Sequence, residues 1–320
     1  MSVPSIEDQD GVVRWLEAED GARLRTASFP AKAPGDRRLL FLTGFSEFIE
    51  KHLETIADFQ KRGFSVWTMD WRGQGLSERS LSNRDKGHIG DFDRFLADLD
   101  IFLAEAVPHG PLTLVGHSMG GHLALRLAHD RPARIARAVL VAPMIDLVLP
   151  PGTHALAHLA AVGLSWIGLD DHYVPGGQDY GPWRELFEGN ILTSDRQRFM
   201  RTAEQVHANR ALGIGGPTYG WLTAAFRSIG EIRSHGYVEG VYAPTMIVGA
   251  GLDALVDTEA ARALVRRLPR GRFVMIEEAL HEILQERDDL RNRFWRAFDR
   301  FVEETDLDER EGDDGGTAQG

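Results

Sequence analysis

Apolar residues fall in short blocks along most of this chain, and the spacing within each block predicts its element. Val12–Glu17 and Arg23–Phe29 are β-rich runs around Asp20-Gly21, the pattern of a hairpin. Arg38–Leu42 is an apolar run of buried-strand type, and a helix is expected over about 50–61 before Gly63 stops it. Ser65–Met69 reads as the next strand. Phe92, Phe95, Leu96, Leu99 and Phe102 repeat at helical spacing, and Pro108 and Gly110 end that helix. Leu112–Val115 (strand), Met119–His129 (helix) and Ala138–Val141 (strand) continue the series. The alternation pauses over 150–240, where only helical stretches and loops are legible. It resumes with Thr245–Val248, a helix over Thr258–Leu268, the strand Arg272–Ile276 and a helix over Ile283–Glu304. Strands alternating with helices predict an α/β fold, with a mostly parallel central sheet covered by helices on both faces. The expected organisation is a core from 1–149 plus 241–304, a helical cap or lid over 150–240, and a solvated tail over 305–320.

Composition narrows the chemistry. The 320 residues contain no cysteine, which excludes disulfides, thiolate metal sites and a cysteine nucleophile. The net charge of −12 argues against a nucleic-acid partner. Part of that charge is the acidic run Glu303–Asp314, the reason for expecting a disordered tail. The acidic N-terminus is not a secretory signal, and the apolar stretch 154–169 is too short to cross a bilayer, so a cytoplasmic protein is expected. No metal-ligand spacing or dinucleotide fingerprint occurs, so neither metal nor cofactor is expected.

Gly116-His117-Ser118-Met119-Gly120 fits G-x-S-x-G, directly after one strand and opening a helix. A nucleophilic serine needs that context, because a tight strand-to-helix turn lifts its hydroxyl above the sheet. The hydroxyl also needs a base, expected late in the chain and after an acid. His281 follows the strand Arg272–Ile276, and Asp253 follows Thr245–Val248, so both emerge at C-terminal strand ends. Asp257 and Asp146 compete with Asp253 as the acid. His117 and His122 flank the turn and are read as packing or hydrogen-bonding residues. The oxyanion donors are expected to be the N–H groups of Met119 and of Phe45, in Thr43-Gly44-Phe45. The turn at Gly73 and Gly75, and the glycines from Gly213 to Gly220, are read as turns rather than phosphate cradles.

These features together resemble the α/β-hydrolase superfamily, and within it the bacterial lysophospholipase and monoacylglycerol lipase families. The resemblance spans about residues 10–300. It rests on Gly44–Lys51, Asp70–Ser77, Gly87–Phe92, the serine turn and Ala279–Glu282. Within the insertion, 190–195 and Gly216–Trp221 resemble the cap of the lysophospholipase branch. It implies hydrolysis of a single-chain lipid ester through an acyl-enzyme on Ser118. Trp221, Tyr219 and Leu164 are then candidate substrate-binding residues, and the cap a candidate for transient membrane-surface contact. One departure is Thr43, which stands where the families commonly carry histidine before the loop glycine. An esterase, an acyltransferase or an iminopeptidase shares the fold, the last needing cap acids such as Asp170, Asp171, Asp179 or Glu185 to hold an amine. A non-enzymatic binding module is the remaining alternative, although such modules typically lose a member of the serine, acid and histidine set.

Overall fold

A computed structural model describes residues 5–35, 37–149, 152, 163–164 and 167–316, with side chains described as far as 307. The hairpin forms where expected, β1 (Val12–Glu17) pairing antiparallel with β2 (Arg23–Phe29). Its turn depends on Gly21 at φ +83°, a conformation costly for any residue with a Cβ. The other strands are β3 (Arg37–Leu42), β4 (Phe64–Met69), β5 (Leu112–His117), β6 (Ile135–Val141), β7 (Thr245–Ala250) and β8 (Gly271–Ile276). They lie in the order β1-β2-β4-β3-β5-β6-β7-β8, and every pair from β4 to β8 is parallel. β5 stands mid-sheet with every residue buried, which explains its unbroken apolar reading.

Helices α1 (Leu53–Lys61), α2 (Asp93–Glu105), α3 (Met119–Asp130), α6 (Thr258–Val265) and α7 (Asp288–Gly316) cover both faces of the sheet. Phe59 of α1 packs edge-on against Trp295 and at 5.3 Å from Phe298 of α7, joining these helices over Phe64 of β4. Helix α7 does not give way to a tail at Thr305. Thr305 is buried with its hydroxyl on the Phe301 carbonyl at 2.8 Å, and the Asp306 carboxylate binds Arg37 at 2.7 Å and also Arg137.

Between β6 and β7 the described residues contain no strand, and helices α4 (Arg196–Ala208) and α5 (Tyr219–Arg233) lie there. Most of the apolar stretch 154–169 lies outside the described residues. Helix α4 is clasped to the core by charge. Arg198 donates to Glu54 at 2.6 and 3.0 Å, Arg201 donates to the same carboxylate at 2.7 Å, and Arg291 stands 3.5 Å away. Burial raises the Glu54 carboxyl, but these guanidiniums outweigh it and hold the group at about 2. The ionised clasp therefore stabilises the fold fully above the ordinary glutamate value of 4.5 and is lost as pH falls toward 2. In urea unfolding across this window, the wild type should lose stability with falling pH more steeply than Glu54→Gln. Parallel curves would show that the clasp is not what titrates.

Among the described residues, no helix is long and apolar enough to cross a membrane.

Candidate active site

The strand β5 ends at His117, and α3 begins at Met119, so Ser118 alone makes the turn. It does so at φ +54° and ψ −118°, outside the wells an L-residue prefers. Three contacts hold it there: its N–H donates to Val141 O at 2.9 Å, and its carbonyl accepts from His122 and Met144 at 3.0 Å each. A Cβ on Gly120 would stand 2.3 Å from Leu42 O, and one on Gly116 2.3 Å from Gly120 O, so side chains are excluded where helix and strands converge. Among the described residues, Asp10, Ser46, Ser118 and Ala142 are the non-glycines at positive φ. Ser46 lies in the loop beside Ser118, and Ala142 directly follows β6, so three of these four surround the site.

The structure brings the three widely separated residues together. His281 Nε2 is 2.9 Å from Ser118 Oγ, and His281 Nδ1 is 2.7 Å from Asp253 Oδ2. Both the imidazole and the carboxylate are buried. Asp253 Oδ1 accepts the Leu255 and Val256 N–H groups at 2.8 and 3.0 Å. Burial pushes the Asp253 carboxyl up, but the His281 hydrogen bond and charge and these two N–H groups outweigh it and hold it below its ordinary value. The competing acids are engaged elsewhere: Asp257 caps α6 through Ala260 N–H, and Asp146 pairs with Arg233.

Gly44 packs onto this turn, a Cβ there falling 3.2 Å from Ser118 Cβ. Phe45 follows Gly44 in that loop, and Met119 follows Ser118 at the start of α3. The Thr43 departure is compensated nearby. Thr43 O accepts the Trp71 indole N–H at 2.8 Å, and Gly44 N–H donates to the Glu47 carboxylate.

Glu47 belongs to a buried charged cluster to which the sequence reading assigned no role. Lys51 Nζ is 2.8 Å from Glu47 and 2.6 Å from Glu282, the residue after His281. His117 Nδ1 lies 3.1 Å from Glu47, and its Nε2 lies 3.3 Å from the His281 carbonyl. Both partners are acceptors, an arrangement that favours the protonated ring. Burial opposes that charge, but the Glu47 carboxylate outweighs it and raises the His117 pKa. The cluster ties the oxyanion loop to the loop that carries His281. The signal available in sequence was Glu47 and Lys51 at i, i+4 beside a recognised motif. His122 is different: burial pushes it down to about 3, and it bonds Met144 O and Ser228 Oγ.

The candidate substrate residues divide. Trp221 is buried in the core, its ring 4.7 Å from Phe45 and 5.8 Å from Phe92, so it packs against the loop that carries Phe45. Tyr219 is half-buried at the start of α5, its N–H on His172 O. Leu164 is also half-buried. Of the cap acids, Asp179 accepts from Tyr173 and Asn83, Asp171 pairs with His172, and Glu185 pairs with His207. Asp170 lies 4.0 Å from His88. The Gly75 turn wraps a side chain of its own: Asp70 accepts from Leu76 N–H at 2.8 Å, and a Cβ on Gly75 would collide with that carboxylate. Gly215 and Gly216 spend their N–H groups on Asp85 O and Gln178 O. A polar crevice of about 950 Å³ beside the Glu54 clasp is lined by none of Ser118, Asp253 and His281.

A mid-sheet serine on a strained strand-to-helix turn, hydrogen-bonded through a late histidine to an acid, defines an α/β-hydrolase. The family model described as serine aminopeptidase, S33, matches residues 33–288, and the chain belongs to that family. It is 29% identical to lysophospholipase L2 of Escherichia coli (strain K12) over 269 residues, 80% of this chain and 77% of that one. A probable lysophospholipase L2 of Haemophilus influenzae is 27% identical over 271 residues, 83% and 84% of the two chains. The crystal structure of a soluble variant of monoglyceride lipase from Saccharomyces cerevisiae shares the fold, with a TM-score of 0.73 at 19% identity over 94% of this chain and 99% of that one. The chain is thus an enzyme of the ester-hydrolysing α/β-hydrolase class.

Proposed function

We propose that the protein hydrolyses the carboxylic ester of a single-chain lipid, a lysophospholipid or a monoacylglycerol, through an acyl-enzyme on Ser118. The observation that carries this reading is the hydrogen-bonded run Asp253–His281–Ser118 beside the oxyanion loop. His281 Nε2 takes the Ser118 proton as Oγ adds to the ester carbonyl carbon. The oxyanion is received by the Phe45 and Met119 N–H groups, and Asp253 stabilises the imidazolium. When the tetrahedral centre collapses, the bond to the glycerol oxygen breaks, and His281 gives that oxygen its proton. Water, deprotonated by His281, then adds to the acyl-enzyme, releasing the fatty acid and restoring Ser118. The lipid part of the reading is supported by the names of the relatives. Of the cap acids that an iminopeptidase would use, Asp171, Asp179 and Glu185 are already partnered, and Asp170 lies 4.0 Å from His88.

The test is fatty-acid release from lysophosphatidylcholine and from monoacylglycerol in parallel, with Ser118→Ala as the blank. Release from at least one is expected, and it should vanish in the blank. Release from neither, or undiminished release by Ser118→Ala, overturns the proposal.

A further inference from the structure

Most buried and half-buried arginines here face carboxylates: Arg25 pairs with Glu50 and Asp70, Arg72 with Asp20 and Asp98, and Arg198 with Glu54, Asp195 and Asp288. Arg184 does not. It sits in the turn Pro182–Glu185 of the cap segment and reaches across to the core. Its Nη1 donates to Ser46 Oγ at 2.9 Å and its Nη2 to Gly215 O at 2.9 Å, both neutral oxygens. Its Nε is buried and has no partner among the described residues. The carboxylates around it are engaged, Glu282 by Lys51 at 2.6 Å and Glu185 by His207 at 2.8 Å. Burial pulls this guanidinium below its ordinary value. A desolvated cation whose hydrogen bonds go to neutral oxygens is costly, and an anion placed against it relieves that cost.

Its position says which anion. Ser46 directly follows Phe45, the candidate oxyanion donor, so the guanidinium is bonded to the residue next to that donor. Ser46 is held at φ +62°, its N–H on the Gln74 side-chain oxygen, and its hydroxyl accepts from Arg184 with its own proton still to donate. In a lysophospholipid the phosphate stands one glycerol unit from the ester. A guanidinium fork matches two phosphate oxygens, and a serine hydroxyl can serve a third.

We propose that Arg184, with Ser46, forms a head-group subsite that binds the phosphodiester of a lysophospholipid. The inference rests on the lipid-ester reading above and narrows its substrate. A monoacylglycerol has no group for this site, so Arg184 acts as a selectivity device.

The experiment compares kcat/KM for lysophosphatidylcholine and for a monoacylglycerol of the same acyl chain, in wild type, Arg184→Gln and Arg184→Lys. The ratio of the two should fall about ten- to hundredfold in Arg184→Gln, chiefly through KM, and Arg184→Lys should recover part of it. An unaltered ratio, or equal loss on both substrates, makes Arg184 structural and overturns the inference. Calorimetry with glycerophosphocholine on the wild type reads the subsite without turnover and without relying on a variant that folds. Binding is expected there. Binding of inorganic phosphate without binding of glycerophosphocholine would give the anion another source and overturn the head-group assignment. Turnover of neither substrate by the wild type sinks the lipid-ester reading, whereas turnover of both at a ratio indifferent to Arg184 sinks this inference alone.

Discussion

Ser118→Ala lowers kcat for ester hydrolysis by about 10⁴-fold or more and leaves the thermal midpoint near that of the wild type. The size follows from the geometry. The Oγ removed is the atom 2.9 Å from His281 Nε2, and among the described residues no other hydroxyl shares that contact. Folding is spared because the turn is held by backbone bonds to Val141, His122 and Met144, which alanine keeps. Alanine also retains the Cβ, so the positive φ costs what it did before. Asp253→Asn should lower kcat by a comparable factor, because the amide disturbs the tautomer that His281 needs to face Ser118. The measurement is steady-state kinetics paired with a thermal melt. Loss of less than about tenfold in Ser118→Ala would place the nucleophile elsewhere.

Lys51→Met is the second large effect, and it falls first on stability. Lys51 neutralises Glu47 and Glu282 in a site where each of the three side chains is at most 10% exposed. Burial alone would lower the Lys51 ammonium, but the Glu282 and Glu47 charges outweigh it and raise its pKa. Methionine keeps the stem and removes the charge, leaving two buried carboxylates facing each other. Deleting one partner of a buried pair costs about 3–5 kcal/mol, which corresponds to a fall in midpoint on the order of 10 °C. Activity should fall as well, since Glu47 holds Gly44 N–H and Glu282 adjoins His281. Lys51→Arg should keep most of the stability. Chemical unfolding of the three proteins checks this, and a Lys51→Met stability within about 1 kcal/mol of wild type would show that the cluster does not bind the two loops together.

Much of the fold was legible because a parallel sheet buried on both faces writes itself as apolar runs. β5 and β7 are buried at every position, and the hairpin was marked by Gly21. The serine turn was legible for a related reason: Gly116 and Gly120 stand where backbones approach too closely for a Cβ. What escaped depends on long-range pairing. Lys51 and Glu282 are 231 residues apart, and nothing local marks them as partners. Arg184 is likewise unmarked, because its partner Ser46 lies 138 residues away. The contact of the Trp221 ring with Phe45, 4.7 Å between centroids, joins residues 176 positions apart and is also unmarked locally. The end of α7 was misplaced because acidic composition hid the helical spacing that carries Phe301 and Val302 on to Thr305.

The left-handed backbone at Ser46, Ser118 and Ala142 has an evolutionary consequence. Glycine at any of the three would relax the chain, and such strain is worth about 1–3 kcal/mol per residue. Ser118 is the position where that relief coincides with loss of the hydroxyl proposed to react. Selection for a sturdier protein and selection for turnover therefore pull in opposite directions at one codon. A lineage freed from the second pressure has a single downhill step available, and glycine in place of Ser118 would be the mark of a descendant that kept the fold and abandoned the chemistry.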